Sequence, residues 1–295
     1  MQFILSFLAA CPGAISQGIL WGILGIGVFL TYKVLDYADM TVDGSLCTGG
    51  AVSAVLITAG MDPLLTLIFA MLSGMAAGAV TGLLHTKLHI PAILTGILTQ
   101  LALYSVNMRI MGRANTTLLG QETIITLLNI PHAILIGGIF AVALIAALYW
   151  FFGTEVGCAI RATGNNDHMA RAQGVNTDNM KLFGLVISNG LVGLAGALLS
   201  QYQGFADVQM GRGAIVIGLA SVIIGEVVVG KQAHFSLRMA SIILGAVIYY
   251  IIIALVLQAG LNTNDLKLFS AATVALALAL PTLKKTIAGK LGGGL

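Results

Sequence analysis

Charge is what this chain has least of. Asp, Glu, Lys and Arg make up 8% of its 295 residues, against roughly 25% in a soluble globular domain. So few charges cannot cover a folded surface in water, which excludes a soluble fold. The formal net charge of +3 is too small to mark a nucleic-acid binder, and no nucleic-acid partner is expected. Cysteine is scarce as well: Cys11, Cys47 and Cys158 stand apart, with no spacing that suggests a disulfide framework or a metal site. They read as small apolar fillers. Paired carboxylates are missing from every apolar run, and no nucleophile stands beside a base, so no catalytic residue and no metal are assigned.

What remains is apolar. Hydrophobic residues reach 58% and mean hydropathy is +0.99. A bilayer span needs about 20 mostly apolar residues. Windows of that kind lie near 14–32, 44–60, 64–84, 89–107, 131–152, 182–204, 213–229, 237–258 and 267–283. The expected fold is an all-α integral membrane protein of about nine spans, eight to ten, forming a single domain over 1–295. Leu8-Ala9-Ala10-Cys11 imitates a lipoprotein cleavage site, but no Lys or Arg precedes it. Residues 2–10 are therefore expected to stay, as an interfacial lead-in to the first span.

Basic residues set the orientation, because they are retained on the cytoplasmic side. With the N-terminus outside and the C-terminus inside, Lys33, Lys87, Arg161, Arg171, Lys181, Lys231, Arg238, Lys284, Lys285 and Lys290 are cytoplasmic. Only Arg109, Arg113, Arg212 and Lys267 are left outside.

Two spans look irregular in the same way. The second is approached through Asp39-Met40-Thr41-Val42-Asp43-Gly44-Ser45, and the seventh through Asp207-Val208-Gln209-Met210-Gly211-Arg212-Gly213. Both are short and rich in small residues, approached from opposite sides, which is the relation of broken helices in an inverted repeat. The alternative is two ordinary glycine-rich helices. On the first reading Asp43, Gly44, Ser45, Thr48, Gly49, Gln100, Asn107, Asn189, Gly211 and Gly213 line a translocation pathway. Ala70, Gly74, Gly78 and Gly82 recur every four residues, and Gly190, Gly193 and Gly196 cluster in the sixth span. They read as helix contacts within a protomer, with a subunit interface as the alternative. Gln100, Tyr104, Asn107 and Asn189 should turn inward from lipid.

Three tempting motifs fail. Residues 225–231, GEVVVGK, have phosphate-loop spacing, but Gln232 stands where Ser or Thr would hold magnesium and the string ends an apolar run, so ATP is not expected to bind there. His85 and His89 lack an accompanying Glu and fit a cytoplasmic turn with solvated side chains. Glu226 stands alone near the end of its span, with Lys231 as its expected partner.

The one long polar stretch is 153–181, GTEVGCAIRATGNNDHMARAQGVNTDNMK. Asn165 or Asn166 can cap a helix running through Met169, Arg171 and Gln173 to Gly174, and Thr177 can cap the next, with Asp178 in its first turn. Together with the apolar sequence that follows to Glu226, and with the early YKVLDYADMTVDGSLCTGGAVSAV, this stretch resembles the permease subunits of bacterial ABC importers of the branched-chain amino acid and ribose type. It is most similar to permeases encoded with tryptophan- or tyrosine-type binding proteins. The resemblance implies a multi-pass protein of the bacterial inner membrane that pairs as a homodimer and receives substrate from an extracytoplasmic binding lipoprotein. It also implies two separate ATPase subunits, which carry ATP and magnesium, so that this chain needs no cofactor and is not itself an enzyme. A cytoplasmic coupling helix, about Asn166 to Gln173, would meet the ATPase, with Arg161, Asn165, Asn166, Met169, Ala170, Arg171, Gln173 and Gly174 as contact residues. Ala170 and Ala172 would allow close approach, Met169 would anchor, and Arg171 would be available for a carboxylate. The expected cargo is a small solute, an amino acid before a sugar or nucleoside. An ion-coupled secondary transporter is the alternative, and the paucity of intramembrane charge argues against it.

Overall fold

The computed structural model describes residues 2–230, 234–259, 268–269 and 271–275. In hydrocarbon every backbone group must be satisfied within the segment, so apolar runs wind as helices. The first, α1 (Gln2–Phe29), continues into a π-helical turn (Leu30–Val34). There follow α2 (Val42–Thr58), α3 (Pro63–Thr86), α4 (Ala92–Met111), α5 (Ile130–Gly153), α6 (Glu155–Asn165), α7 (Asp167–Ala172), α8 (Thr177–Gln203), α9 (Ala214–Val229) and α10 (Phe235–Gln258). Eight of these, α1 to α5 and α8 to α10, fall on the expected spans; the ninth expected span, 267–283, lies mostly outside the described residues. Five helices are long and apolar enough to cross a membrane, within α1, α3, α5, α8 and α10. The helices α2 and α9 are shorter apolar helices. The described residues therefore carry an all-α membrane architecture without fixing the count at nine.

Residues 2–10 run into the first span without a break, α1 being one continuous helix from Gln2 with Pro12 inside it. Between the helices, β1 (Asn115–Thr117) and β2 (Phe205–Asp207) pair antiparallel, with Asn115 opposite Asp207. This ladder joins two connections that a sequence pattern treats as independent loops.

Helix α8 is the axis of the bundle. Helix α1 runs antiparallel to it, with the Tyr202 hydroxyl donating to the Gly13 carbonyl (3.5 Å) and the Ser188 hydroxyl to the Gly27 carbonyl (2.7 Å). Helix α3 is also antiparallel, and its stripe of Gly74, Gly78 and Gly82 lies against Asn189, Leu185 and Leu182. These glycines pack within the protomer, as the periodicity suggests. Helix α2 runs parallel to α8, Ser45 beside Asn189 and Gly49 beside Gly193. The other half repeats the pattern around α1. Helix α10 lies antiparallel to it, Gly18 on Val247 and Gly22 on Ile243, while α9 runs parallel to it, Gly218 on Val28.

At the far end of α9, Glu226 is not alone. Its carboxylate takes Lys33 Nζ at 3.2 Å and Arg238 Nη2 at 3.0 Å. Lys231, the expected partner, lies outside the described residues. The sequence could not point to Lys33 or Arg238, because only the meeting of α1, α9 and α10 brings the three together. His85 is corrected too: it is half-buried, with Nδ1 2.8 Å from the Ile90 carbonyl oxygen and its ring edge-on to Tyr37.

Candidate functional site

The polar stretch folds as two short helices and the start of a third. The Thr154 hydroxyl accepts from Gly157 N (3.3 Å) to open α6, and Asn166 Oδ1 accepts from Met169 N (3.0 Å) to open α7. Of the two asparagines, Asn166 is thus the cap. Gly174, at φ +84°, closes the turn after α7 with the left-handed backbone that glycine adopts freely. Thr177 does not cap α8. The cap is Asn176, whose Oδ1 accepts from Asn179 N (3.1 Å), while Thr177 is buried as the first helical residue.

Burial separates the residues assigned to partner contact. Asn165, Asn166, Met169, Arg171, Gln173 and Gly174 are exposed, and Met169 is 62% exposed. Ala170 is buried against the bundle, which corrects its reading as a close-approach surface. Arg171 is turned toward α8, its Nη2 donating to Thr177 Oγ1 at 2.7 Å and reaching Asp178 Oδ1 at 3.4 Å, while its side chain stays largely exposed. Arg161 sits apart on α6, bonding Cys158 Sγ (3.2 Å) and lying 5.9 Å above the Phe235 ring. Gly164 brings α6 onto the backbone of Val34 and Leu35, so this whole stretch is fastened to the end of α1.

A second tie holds α7. Lys181 Nζ meets Asp167 Oδ2 at 3.2 Å and, as the main cause, lowers the Asp167 carboxyl below its ordinary value. A depressed carboxyl contributes stability above the unfolded value of about 4 and loses it as pH falls through the folded value. The tie is therefore whole at neutral pH and fails only in acid. Because the pair is partly exposed, Asp167→Asn should cost about 0.2–1 kcal/mol. Hydrogen exchange should show faster α7 amides in that variant at pH 7, and a difference from wild type that closes toward pH 3.

The two irregular approaches meet inside the bundle. Helices α2 and α9 are themselves unbroken; the irregular backbone lies just before each. The π-helical turn and Asp36, at φ +51°, turn the chain back from the end of α1, so that α2 starts beside the middle of α8. From the opposite end, the residues after β2 bring α9 to the same level. Asp43 joins the two starts, its carboxylate accepting from Gly213 N (3.0 Å) and Ile215 N (2.9 Å). Gly213 has no side chain to cap α9, and an acid from α2 does so instead, where the helix dipole favours negative charge. Gly211 N donates to Cys47 Sγ at 3.1 Å, and a Cβ on Gly211 would strike the Asp43 carbonyl.

Below this junction the polar groups satisfy one another. Asp39 Oδ2 accepts from Asn189 Nδ2 (2.7 Å), and Asn189 Oδ1 accepts from Ser45 (2.6 Å). Thr41, Thr81 and Thr99 form a hydroxyl chain with spacings of 2.7 and 2.9 Å. The sequence reading missed Gln201, which ties α8 to Ser53, Pro63, Thr66 and Ile124.

Two cavities flank the junction. One of about 310 Å³ is lined by Asp43, Gly44, Cys47, Gln100, Tyr104, Asn107 and Arg212, among others. The other, about 720 Å³ and mostly apolar, includes Trp21, Tyr249, Tyr250, Arg212 and Gly213. Of the expected pathway residues, Asp43, Gly44, Gln100, Asn107 and Gly213 line these spaces, while Gly211 is buried against Asp43 and Cys47. Ser45, Thr48, Gly49 and Asn189 are corrected: they are buried in helix contacts. Asn107 and Asn189 turn inward as expected, Gln100 partly, while Tyr104 remains 46% exposed. Arg212, the last residue but one of the approach to α9, lines both cavities.

Residues 13–280 match the family described as branched-chain amino acid transport system / permease component. The chain belongs to that permease family. It is 37% identical over 92% of both chains to the "Tyrosine transport system permease protein" of Clostridioides difficile. An uncharacterized protein of Rickettsia prowazekii is 30% identical, over 92% of this permease and 97% of its own length. The "Autoinducer 2 import system permease protein LsrC" of Yersinia pseudotuberculosis is 32% identical over 69% of this permease and 58% of its own length. No solved structure matches. The permease is thus a multi-pass component of a transport system, and its apolar helices fit the inner membrane.

Proposed function

We propose that this permease forms the translocation pathway of an ATP-driven importer of a small solute, an amino acid foremost. Separate ATPase subunits hold ATP and magnesium, an extracytoplasmic binding protein delivers the cargo, and a second copy of the permease completes the membrane unit. The N-terminus lies outside and α6 and α7 lie in the cytoplasm. The observation that carries this reading is α7 itself, in a member of this family: a short, capped helix tied to α8 by Lys181 and Arg171, presenting a large apolar side chain, Met169, to its surroundings. Stiff attachment suits a helix that transmits rigid-body movement from closing ATPases to the spans. The name of the Clostridioides difficile relative favours an amino acid.

The opposed starts of α2 and α9 supply the moving part. Their matched packing, α2 and α3 on α8 and α9 and α10 on α1, favours an inverted repeat. Rocking one half against the other then exposes the Asp43 junction alternately to each side.

Reconstitution tests the assignment. The permease expressed with its neighbouring genes should copurify with an ATPase and, in vesicles supplied with binding protein, take up amino acids only when ATP is present. Accumulation by the permease alone under an ion gradient would make it a secondary transporter.

A further inference from the structure

The cavity beside α4 contains an unsatisfied side chain. Asn107 is 1% exposed, and both its Oδ1 and its Nδ2 are buried without a hydrogen-bond partner while it lines this space. Nearly all buried amides in native proteins find partners, so an amide missing both needs a reason. Its counterpart Asn189, equally buried, has every polar atom used. Facing the same space is Arg212, whose guanidinium takes part in none of the ion pairs among the described residues. Asp43 supplies the opposite charge. Its oxygens accept from Gly213 N and Ile215 N at the start of α9, with the Ala214 N–H also turned toward them, and a carboxylate's four lone pairs still leave room for another donor. Gln100 and Tyr104 complete the polar lining.

We propose that this cavity binds the zwitterionic head of the transported amino acid, with Arg212 and Asn107 holding the carboxylate and Asp43 the ammonium group. The guanidinium fork matches a carboxylate bidentately, and the Asn107 amide offers both a donor and an acceptor. A cation and an anion lining one small space suit a cargo carrying both charges and no net charge. A sugar or nucleoside would leave both charges unmatched. The volume of about 310 Å³ admits one small solute, at the lower end of ligand pockets. Because Asp43 also caps α9, an ammonium group on its remaining lone pairs would share that carboxylate with Gly213 N and Ile215 N, placing the cargo directly against the head of α9.

The site rests on the amino-acid reading above, so the test separates the two. L-Tyrosine binding to the intact permease in nanodiscs is measured alongside tyramine, which lacks the carboxylate, and 3-(4-hydroxyphenyl)propionate, which lacks the ammonium group. Tyrosine should bind about tenfold or more tightly than either analogue. In Arg212→Gln the preference over tyramine should shrink to within about twofold, while Asn107→Leu should weaken tyrosine about tenfold. A change in the ratio of two ligands cannot arise from lost stability alone. If Arg212→Gln expresses poorly, Arg212→Lys, which keeps the charge without the fork, should retain the preference with weaker binding. Absence of saturable tyrosine binding to the wild type, or an unchanged tyrosine-to-tyramine ratio in Arg212→Gln, overturns the site. Uptake by the complete wild-type importer is scored in parallel over the standard amino acids. Uptake unaffected by both variants also overturns the site and leaves the importer reading standing; no uptake of any amino acid overturns both.

Discussion

Gly49→Leu should remove folded permease from the membrane, measured as monodisperse protein recovered from detergent at a few per cent of the wild-type yield. A Cβ at Gly49 would land on the backbone of Gly193, one at Gly196 on the Leu46 carbonyl, and one at Gly74 on the Asn189 carbonyl. Helices α2, α3 and α8 therefore touch backbone to backbone, with no flexible side chain between them to give way. Overpacking an ordinary core costs about 1–3 kcal/mol, and a contact that can relax only by separating whole helices should reach the top of that range or pass it. Gly49→Ala should already lower the yield. Gly44 is expected to be more tolerant, because its nearest neighbour is the Leu103 side chain, and Gly138→Ala should be neutral, because nothing lies within 4 Å of its Cβ position. Recovery of Gly49→Leu equal to that of Gly138→Ala would show that α2 and α8 are not in contact.

That contrast also marks what the sequence could disclose. The four-residue recurrence from Ala70 to Gly82 places those glycines on one face of a helix, and the contact found there is the one periodicity implies. The same reasoning could not sort Gly49 from Gly44, since Gly49 lies on the α8 backbone and Gly44 lies nearest the Leu103 side chain of α4, and which is which depends on how α2 is rotated between α8 and α4. Asn107 and Asn189 make the same point. Both read as inward polar residues, yet one is saturated by Asp39, Ser45 and Leu185 and the other faces a cavity.

Caps were legible to within a residue. Asn166 could be placed because its side chain reaches its own helix start, a local event. Asn176 and Thr177 are adjacent and both able to cap, and Thr177 is withdrawn from that role by burial and by Arg171. Long-range pairs were out of reach for the same reason. The two polar approaches to α2 and α9 stand out in the sequence as similar, but that Asp43 caps α9 follows only once α1 and α8 have set both starts at one depth. Arg212 lies in the approach just ahead of α9 where the sequence put it, but that it lines both cavities beside the junction follows only from the folded turn after β2.

The most conspicuous residue on the proposed coupling segment is Met169, and on that proposal Met169→Asp should lower ATP-driven uptake by at least tenfold and abolish copurification of the ATPase. Burying a methionine side chain against a partner contributes about 1.5–3 kcal/mol, which alone corresponds to about ten- to a hundredfold in affinity. A carboxylate taken into the same groove without a counter-ion costs more. The permease itself has no reason to suffer. Met169 is 62% exposed, the Asn166 cap uses its backbone N–H and not its side chain, and the ties of Asp167 to Lys181 and of Arg171 to Thr177 are left in place. A substitution at Arg171 would confound the two effects, since it frees α7 from α8 whether or not an ATPase docks there. Yield and thermal stability of Met169→Asp should therefore match wild type while uptake collapses. Wild-type uptake by this variant would remove α7 from any coupling role, and would leave its rigid attachment to α8 as part of the fold alone.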